Sequence, residues 1–96
     1  MAKLIMLWQL ACFPNTDNGD PAGLYIYRAP LDNLEQFEWY ALMVWPQTVF
    51  DLPPDGDKYC YKCEAHYREG LGQWRTELTP VDRDCSTRAA CHEAHN

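Results

Sequence analysis

The clearest pattern of polar and apolar residues lies in the second half of the chain, at residues 58–78. From Tyr59 to Tyr67 every second residue is aromatic or small and apolar, and charged or polar residues stand between most of them. This alternation is typical of a β-strand with one face on the core. Residues 69–72 contain two glycines, and 73–78 returns as a second strand. We therefore predict an antiparallel hairpin, with Tyr61 and Trp74 packed on the same core-facing side.

The N-terminal part, residues 4–13, is apolar at almost every position, so both faces of a strand formed there would be buried. This predicts a central strand. The segment also resembles a short signal peptide, but its apolar run is brief and Gln9 interrupts it, so we expect it to belong to the folded domain. After a turn around Asn18 and Gly19, residues 24–28 predict a second strand that is antiparallel to the first.

Residues 32–46 contain a helix signal. Asp32 and Glu35 have the spacing of a capping box. The apolar residues that follow at helical spacing are Leu34, Phe37, Ala41 and Val44. We predict a helix that ends before Pro46. The alternative is a short helix at 32–38 followed by a buried strand, because residues 39–45 are rich in aromatic and β-compatible residues.

The same region contributes three large side chains, Trp39, Met43 and Trp45, that we expect in the core under either interpretation. Near the C-terminus, residues 84–86 could cap a closing helix at 87–95. Together these elements predict one compact domain over residues 1–96. Its fold class would be α+β, an antiparallel sheet of four or five strands covered by one or two helices.

Composition and charge narrow the range of functions expected for this chain. Hydrophobic residues make up 47% of the 96 positions, which excludes a disordered chain. No apolar run approaches the ~20 residues of a membrane helix, so we expect no membrane partner. Residues 1–57 hold two basic and eight acidic residues and so account for the whole net charge of −6. An acidic surface repels nucleic acid and attracts basic protein surfaces. The candidate partner-binding residues are Asp17, Asp20, Asp32, Glu35, Asp51, Asp55 and Asp57.

Five cysteines and three histidines are the candidates for metal chemistry. Cys60 and Cys63 form a C-x-x-C motif, and a zinc site could be completed by Cys91 and His95, which lie four residues apart on the predicted closing helix. In a strand, however, residues three apart point to opposite faces. We therefore expect no metal and no other cofactor, with Cys63 in the core and Cys60 partly exposed.

The redox state and the catalytic potential follow from the same residues. An odd number of cysteines and no glycosylation motif favour reduced thiols and a cytoplasmic location. A C-x-x-C inside a strand also differs from the thioredoxin pattern, where the motif opens a helix. An enzyme that uses Cys60 or Cys85 with His66 or His92 stays open as an alternative. No phosphate loop or nucleophile elbow accompanies these residues, so we expect no enzyme.

Six tyrosines and four tryptophans are more than so small a domain can bury completely, so some should be exposed as interface anchors. In its general make-up — short, acidic, single-domain and without enzyme motifs — the chain is similar to phage-encoded inhibitors of bacterial defence such as anti-CRISPR proteins. The resemblance is one of composition and assigns no residues. It implies a non-catalytic protein-binding inhibitor of nucleic-acid-handling machinery in the host cytoplasm, whose acidic residues imitate phosphate charge. The main alternative is a zinc-supported adaptor domain.

Overall fold

The computed structural model describes residues 8–82, which are organised almost entirely as β-strands. A single 3₁₀ turn, Gly56–Lys58, is the helical part of this segment. The six strands in chain order are β1 (Trp8–Ala11), β2 (Gly23–Pro30), β3 (Glu38–Val44), β4 (Val49–Leu52), β5 (Tyr59–Gly70) and β6 (Gln73–Thr79).

The strands form two separate antiparallel sheets. The larger has the order β3–β2–β5–β6, and the smaller is a ribbon of β1 and β4. β5 is the longest strand and lies in the middle of the larger sheet, with Cys63 opposite Ile26 of β2 on one side and Thr79 of β6 on the other. We call the face of this sheet that packs against the ribbon the inner face, and the opposite one the outer face.

The core lies between the ribbon and the inner face. Its buried side chains come from both layers and are Leu10, Cys12, Leu24, Ile26, Met43, Leu52, Tyr61, Cys63, Ala65 and Tyr67. Two tyrosines reach polar partners at the ends of this core: Tyr61 donates to the carbonyl of Gly56 at 2.9 Å. Tyr67 donates to the carbonyl of Asn15 at 2.6 Å. The core thus holds its hydroxyl groups in hydrogen bonds, as buried polar groups require.

A disulfide between Cys12 and Cys63 joins the two layers across the core. Cys12 directly follows β1, and Cys63 lies in the middle of β5, 51 positions later. The expectation of reduced thiols is therefore wrong for these two cysteines. Sequence spacing could not show the pair, because the two residues meet only through the packing of the ribbon on the sheet.

The predicted α+β fold class is wrong, since residues 38–44 form β3 and not a helix. The alternative interpretation was correct about the strand, although β3 is mostly exposed instead of buried, and residues 31–36 form turns instead of a short helix. Ladder pairing with β2 and burial of Met43 outweigh the helical spacing of the apolar residues. The predicted closing helix at 87–95 lies outside the described residues. Within them, no helix has the length and apolar character needed to cross a membrane.

The N-terminal expectation is also corrected. Among the described residues β1 pairs with β4 alone, in the two-stranded ribbon, and so it is not a central strand of the larger sheet. The second strand does form, as β2, but its neighbours are β3 and β5 and not the first strand. The apolar character of residues 8–12 reflects packing of the ribbon against the inner face, because Leu10 and Cys12 are both buried there.

The predicted hairpin is confirmed as β5 and β6, but one face assignment is wrong. A register irregularity lies between Arg68 and Gly70, so that Arg68 is opposite Trp74 and Gly70 is opposite Gln73. A shift of one residue moves a side chain to the other face of a sheet. Trp74 consequently lies on the outer face, away from Tyr61, and is 55% exposed. Trp39 is exposed as well, whereas Met43 is in the core as expected and Trp45 is half-buried.

We predict that the disulfide contributes about 2–4 kcal/mol to the free energy of unfolding, because it closes a long loop in the unfolded chain. The double variant Cys12→Ala/Cys63→Ala should unfold at correspondingly lower urea concentration. Cys60→Ala is the matched control, because it removes a buried thiol that is not in a disulfide. Dithiothreitol should destabilise the wild type and this control, and leave the double variant unchanged. Recovery of alkylated, unlinked Cys12 from the untreated protein would contradict the pairing.

Two aromatic truncations separate the inner face from the outer face. Tyr61→Ala should cost about 3–5 kcal/mol, since it removes a fully buried ring. Trp74→Ala should cost less than about 1 kcal/mol, because exposed positions contribute little to stability. Urea unfolding followed by circular dichroism measures both. Equal losses would mean that Trp74 is packed in the core after all.

Candidate interaction surface

The outer face of the four-stranded sheet exposes several large apolar side chains. The ribbon covers only the inner face, and most of the outer face has no described element packed over it. The exception is the end at Cys60 and Ala29, which are both fully buried, and where the ring of Phe37 lies 4.2 Å from Lys62 Nζ. All four strands contribute to the outer face. Its exposed large residues are Trp39, Leu42 and Val44 of β3 and Trp74 and Leu78 of β6. Large apolar residues exposed together on one sheet face mark a candidate site of interaction with other molecules.

A shallow groove runs across this face. It is lined by Ala22, Gly23, Tyr25, Leu42, Val44, His66 and Trp74. The rings of Tyr25 and His66 stack at the bottom, with centroids 3.9 Å apart and planes inclined by 26°. β2 and β5 position these two rings side by side, because Gly23 is paired with His66 and Tyr25 with Glu64. The floor of the groove is therefore rigid and aromatic.

Next to the groove, one carboxylate organises a small polar group. Glu64 Oε1 lies 2.8 Å from His66 Nε2 and accepts a longer hydrogen bond, 3.4 Å, from the hydroxyl of Tyr27. Burial and the neighbouring carboxylate of Glu64 both raise the pKa of Tyr27 above its ordinary value, so the phenol stays protonated and donates. The group offers a ligand both hydrogen-bond acceptors and donors.

The acidic candidates do not form one surface. Four of them, Asp32, Glu35, Asp55 and Asp57, come from the two turns that precede β3 and β5. These turns meet at the same end of the sheet, where Leu31 N–H donates to the carbonyl of Lys58 at 3.2 Å and Asp32 and Asp57 line one cleft. We call these four residues the acidic end.

Two further candidates lie at the opposite end of β5. Asp17 and Asp20 belong to the loop before β2, and Asp20 lines a cleft with Tyr67, Arg68 and Arg75. Counting along β5, this cleft is about 30 Å from the acidic end. That distance is several Debye lengths at physiological salt. Asp17 and Asp20 therefore do not reinforce the acidic end.

The last candidate, Asp51, lies on the ribbon and accepts a hydrogen bond from Gln9 Nε2 at 3.0 Å. Positive charge lies close to the acidic end and partly offsets its field, because Lys58 lines the same cleft as Asp32 and Asp57. Of the five basic residues between 8 and 82, three stack on aromatic rings: Arg28 on Tyr40 and Tyr59, Lys62 on Phe37, and Arg75 on Tyr67. The structure thus brings four of the seven candidates together at the acidic end, places Asp51 on the ribbon and leaves Asp17 and Asp20 at the opposite end.

The cysteines of the C-x-x-C motif point to opposite faces of β5, as the alternation predicts. Cys63 is in the core and bonded to Cys12. Cys60 is fully buried, so the expectation that it would be partly exposed is wrong. These two residues cannot bind one zinc ion together in this arrangement. Cys91 and His95, the other members of the proposed zinc set, lie outside the described residues. In the described segment no three metal-binding side chains cluster.

The alternative of an enzyme that pairs a cysteine with a histidine is not supported by the described residues either. Cys60 and His66 are six residues apart on one strand, which separates them by about 20 Å. They cannot form a nucleophile and base pair. Cys85 and His92 belong to the segment that the structure does not describe.

Sequence reasoning missed the outer face, because its exposed tryptophans were assigned to the core. Trp39 was placed there by its apolar neighbours, and Trp74 by a register that ignored the irregularity at residue 69. One signal was available: residues 39–45 contain no charge, so a strand there must leave apolar side chains on both of its faces.

Comparison with known proteins adds no relative. No protein-family model, no curated protein and no solved structure matches this chain. What the protein does is therefore inferred from its own residues.

Proposed function

We propose that this protein is a non-catalytic binding module for a basic protein. The observation that carries the proposal is the outer sheet face, on which five large apolar side chains are exposed within the described chain. Tryptophan is the residue type most enriched among the anchors of protein interfaces, together with tyrosine and arginine. Within residues 8–82 these side chains lie on the face opposite the ribbon and stay exposed.

The acidic end supplies the preference for a basic partner. Its four carboxylates and the apolar outer face border each other, because the turn at residues 31–37 leads directly into β3. Charge of this kind speeds encounter with an oppositely charged surface, and the apolar face then holds the complex. Direct binding of nucleic acid would require a basic face, which opposes the net charge of −6.

A finer form of the proposal is an inhibitor of nucleic-acid-handling machinery, similar in kind to anti-CRISPR proteins. In that case the acidic end would occupy part of a groove that normally binds phosphate. With four carboxylates at one end of the sheet, the imitation is local and does not extend over the whole acidic half of the chain. The zinc-supported adaptor and the small cysteine enzyme are less favoured, because the described cysteines are not arranged for either.

An inhibitor of this kind would act in the cytoplasm. The sequence argument for a cytoplasmic location was that the thiols are reduced, and the Cys12–Cys63 disulfide removes that argument. Disulfides persist mainly in oxidising compartments. The binding module itself requires neither location, since its surface is the same in both.

The test compares two matched double variants as baits for affinity capture from the native host. Asp32→Asn/Glu35→Gln removes two charges from the acidic end, and Asp17→Asn/Asp20→Asn removes two charges from the opposite end. All four residues are exposed, so both variants should keep the stability of the wild type. We expect a basic protein that wild type and the second variant retain equally, and that the first variant retains several-fold less.

Salt provides the second readout. The captured complex should weaken as sodium chloride rises from 0.1 M to 1 M, because the Debye length falls from ~10 Å to ~3 Å. Equal retention by all three baits, with no effect of salt, would remove the charge preference. Capture of an acidic protein, or of none at all, would remove the proposal itself.

A further inference from the structure

β3 forms one outer edge of the larger sheet, and its outward side has no strand partner within residues 8–82. The direction of its backbone groups follows from one hydrogen bond. Trp45 N–H donates to the carbonyl of Ala22, so Trp45 faces the β2 side. In an antiparallel ladder this orientation alternates from residue to residue. Met43 therefore faces β2 as well, and the N–H and C=O of Leu42 point outward.

Val44 has the same outward orientation, but its carbonyl accepts a hydrogen bond from Gln47 N–H at 3.0 Å. Leu42 thus offers a donor and an acceptor at the edge, and Val44 offers its N–H. A strand laid against β3 would satisfy these groups. Its side chains would then extend the apolar outer face that Leu42 and Val44 begin.

The other edge, β6, is protected against such pairing. Arg75 and Glu77 are ion-paired with each other on its inner side, and Arg75 also bonds to Glu69. Inward-pointing charges are a common protection of edge strands. The residues of β3 from Trp39 to Val44 include no charge and no proline. The two edges of one sheet therefore differ, and β3 is the one open to an added strand.

Charge around β3 is unequal along its length. Asp32, Glu35 and Glu38 lie just before or at its start, and no charged residue follows its end before Asp51. An added antiparallel strand would place its C-terminal end beside these carboxylates. A second copy of this chain would instead bring another net charge of −6 to the contact, which opposes pairing.

We propose that the open edge of β3 binds an extended, apolar segment of the basic partner in antiparallel orientation. Lysine or arginine side chains at the C-terminal end of that segment lie beside Asp32, Glu35 and Glu38. Main-chain hydrogen bonds to Leu42 and Val44 hold the segment, and its apolar side chains continue the outer face. This mode of recognition is β-strand addition. It rests on the proposed function, since it names where and how the basic partner docks.

The test uses a defined probe, the fluorescent peptide acetyl-Val-Thr-Val-Thr-Val-Lys-Arg-Lys-amide, with binding followed by anisotropy. The protein variants are Leu42→Pro, which removes an outward N–H of β3, and Thr76→Pro, its counterpart on β6. Thr76 faces outward by the same alternation, because Ala22 N–H donates to the carbonyl of His66 and so sets the phase of β5. Proline at an outward-facing edge position leaves the ladder to the inner neighbour intact.

We expect saturable binding to the wild type, at least a tenfold loss with Leu42→Pro and no change with Thr76→Pro. Two N-methylated peptides provide a measurement that needs no protein variant: one is methylated at its odd-numbered residues and the other at its even-numbered residues. The peptide whose methyl groups block the amides that face β3 should bind at least tenfold more weakly. A peptide with glutamate in place of the three basic residues should also bind at least tenfold more weakly.

Three results would overturn the proposal: binding that is insensitive to N-methylation, equal loss in the two proline variants, or equal binding of the glutamate peptide. Dimerisation of the wild type in sedimentation equilibrium, abolished by Leu42→Pro, would also overturn it, because a second copy would then occupy the edge. If the acidic-end variant loses its captured partner but the peptide does not bind at β3, this docking mode is wrong and the binding module stands.

Discussion

The bond between Cys12 and Cys63 joins the only two layers of the described chain, and the arrangement of the core depends on that connection. The ribbon is short, with four residues in each strand, and two such strands are marginally stable by themselves. Its hold on the sheet comes from a few buried residues, chiefly Leu10 and Leu52. In a domain of this size the core alone supplies little stability, and a covalent link between layers is a common addition. Arg28 closes one end of the core, where its guanidinium lies 4.1 Å from the ring centres of both Tyr40 and Tyr59.

The ribbon packs on one face of the four-stranded sheet, and this leaves the opposite face available to other molecules. Because the ribbon covers only the inner face, the described structure leaves most of the outer face uncovered, and only its end at Cys60 and Ala29 is buried. Near the middle of this face, Tyr27 and His66 both hydrogen-bond to Glu64. The exposed side chains around these three residues are mainly apolar and aromatic. A surface of this composition is suited to binding.

The phase of β5 decides which chemistry its residues can carry. The strand alternates through Cys60, Cys63 and His66 without interruption, so Cys63 points into the core while Cys60 and His66 share the opposite face at a distance. A C-x-x-C motif located in a turn could bind metal. Here Cys63 forms a disulfide and Cys60 is a buried free thiol. The same strand separates the acidic end from the acidic loop before β2, and so limits any imitation of phosphate charge to one end.

The local pattern of the sequence by itself determined the β5–β6 hairpin, the strand at β2, the placement of Cys63 and Met43 in the core and the exposure of the acidic residues. These follow from alternation and from the cost of burying charge, which act within a few residues. Tertiary structure alone decided that residues 38–44 form a strand, since helical and strand spacing were both present and only pairing with β2 distinguishes them. It also decided the face of Trp74, because a single unpaired residue reverses every side chain beyond it. The Cys12–Cys63 bond and the gathering of Asp32 with Asp57 belong to the same class: they join residues far apart in the chain, and their distance in space is set by packing, which no local pattern records.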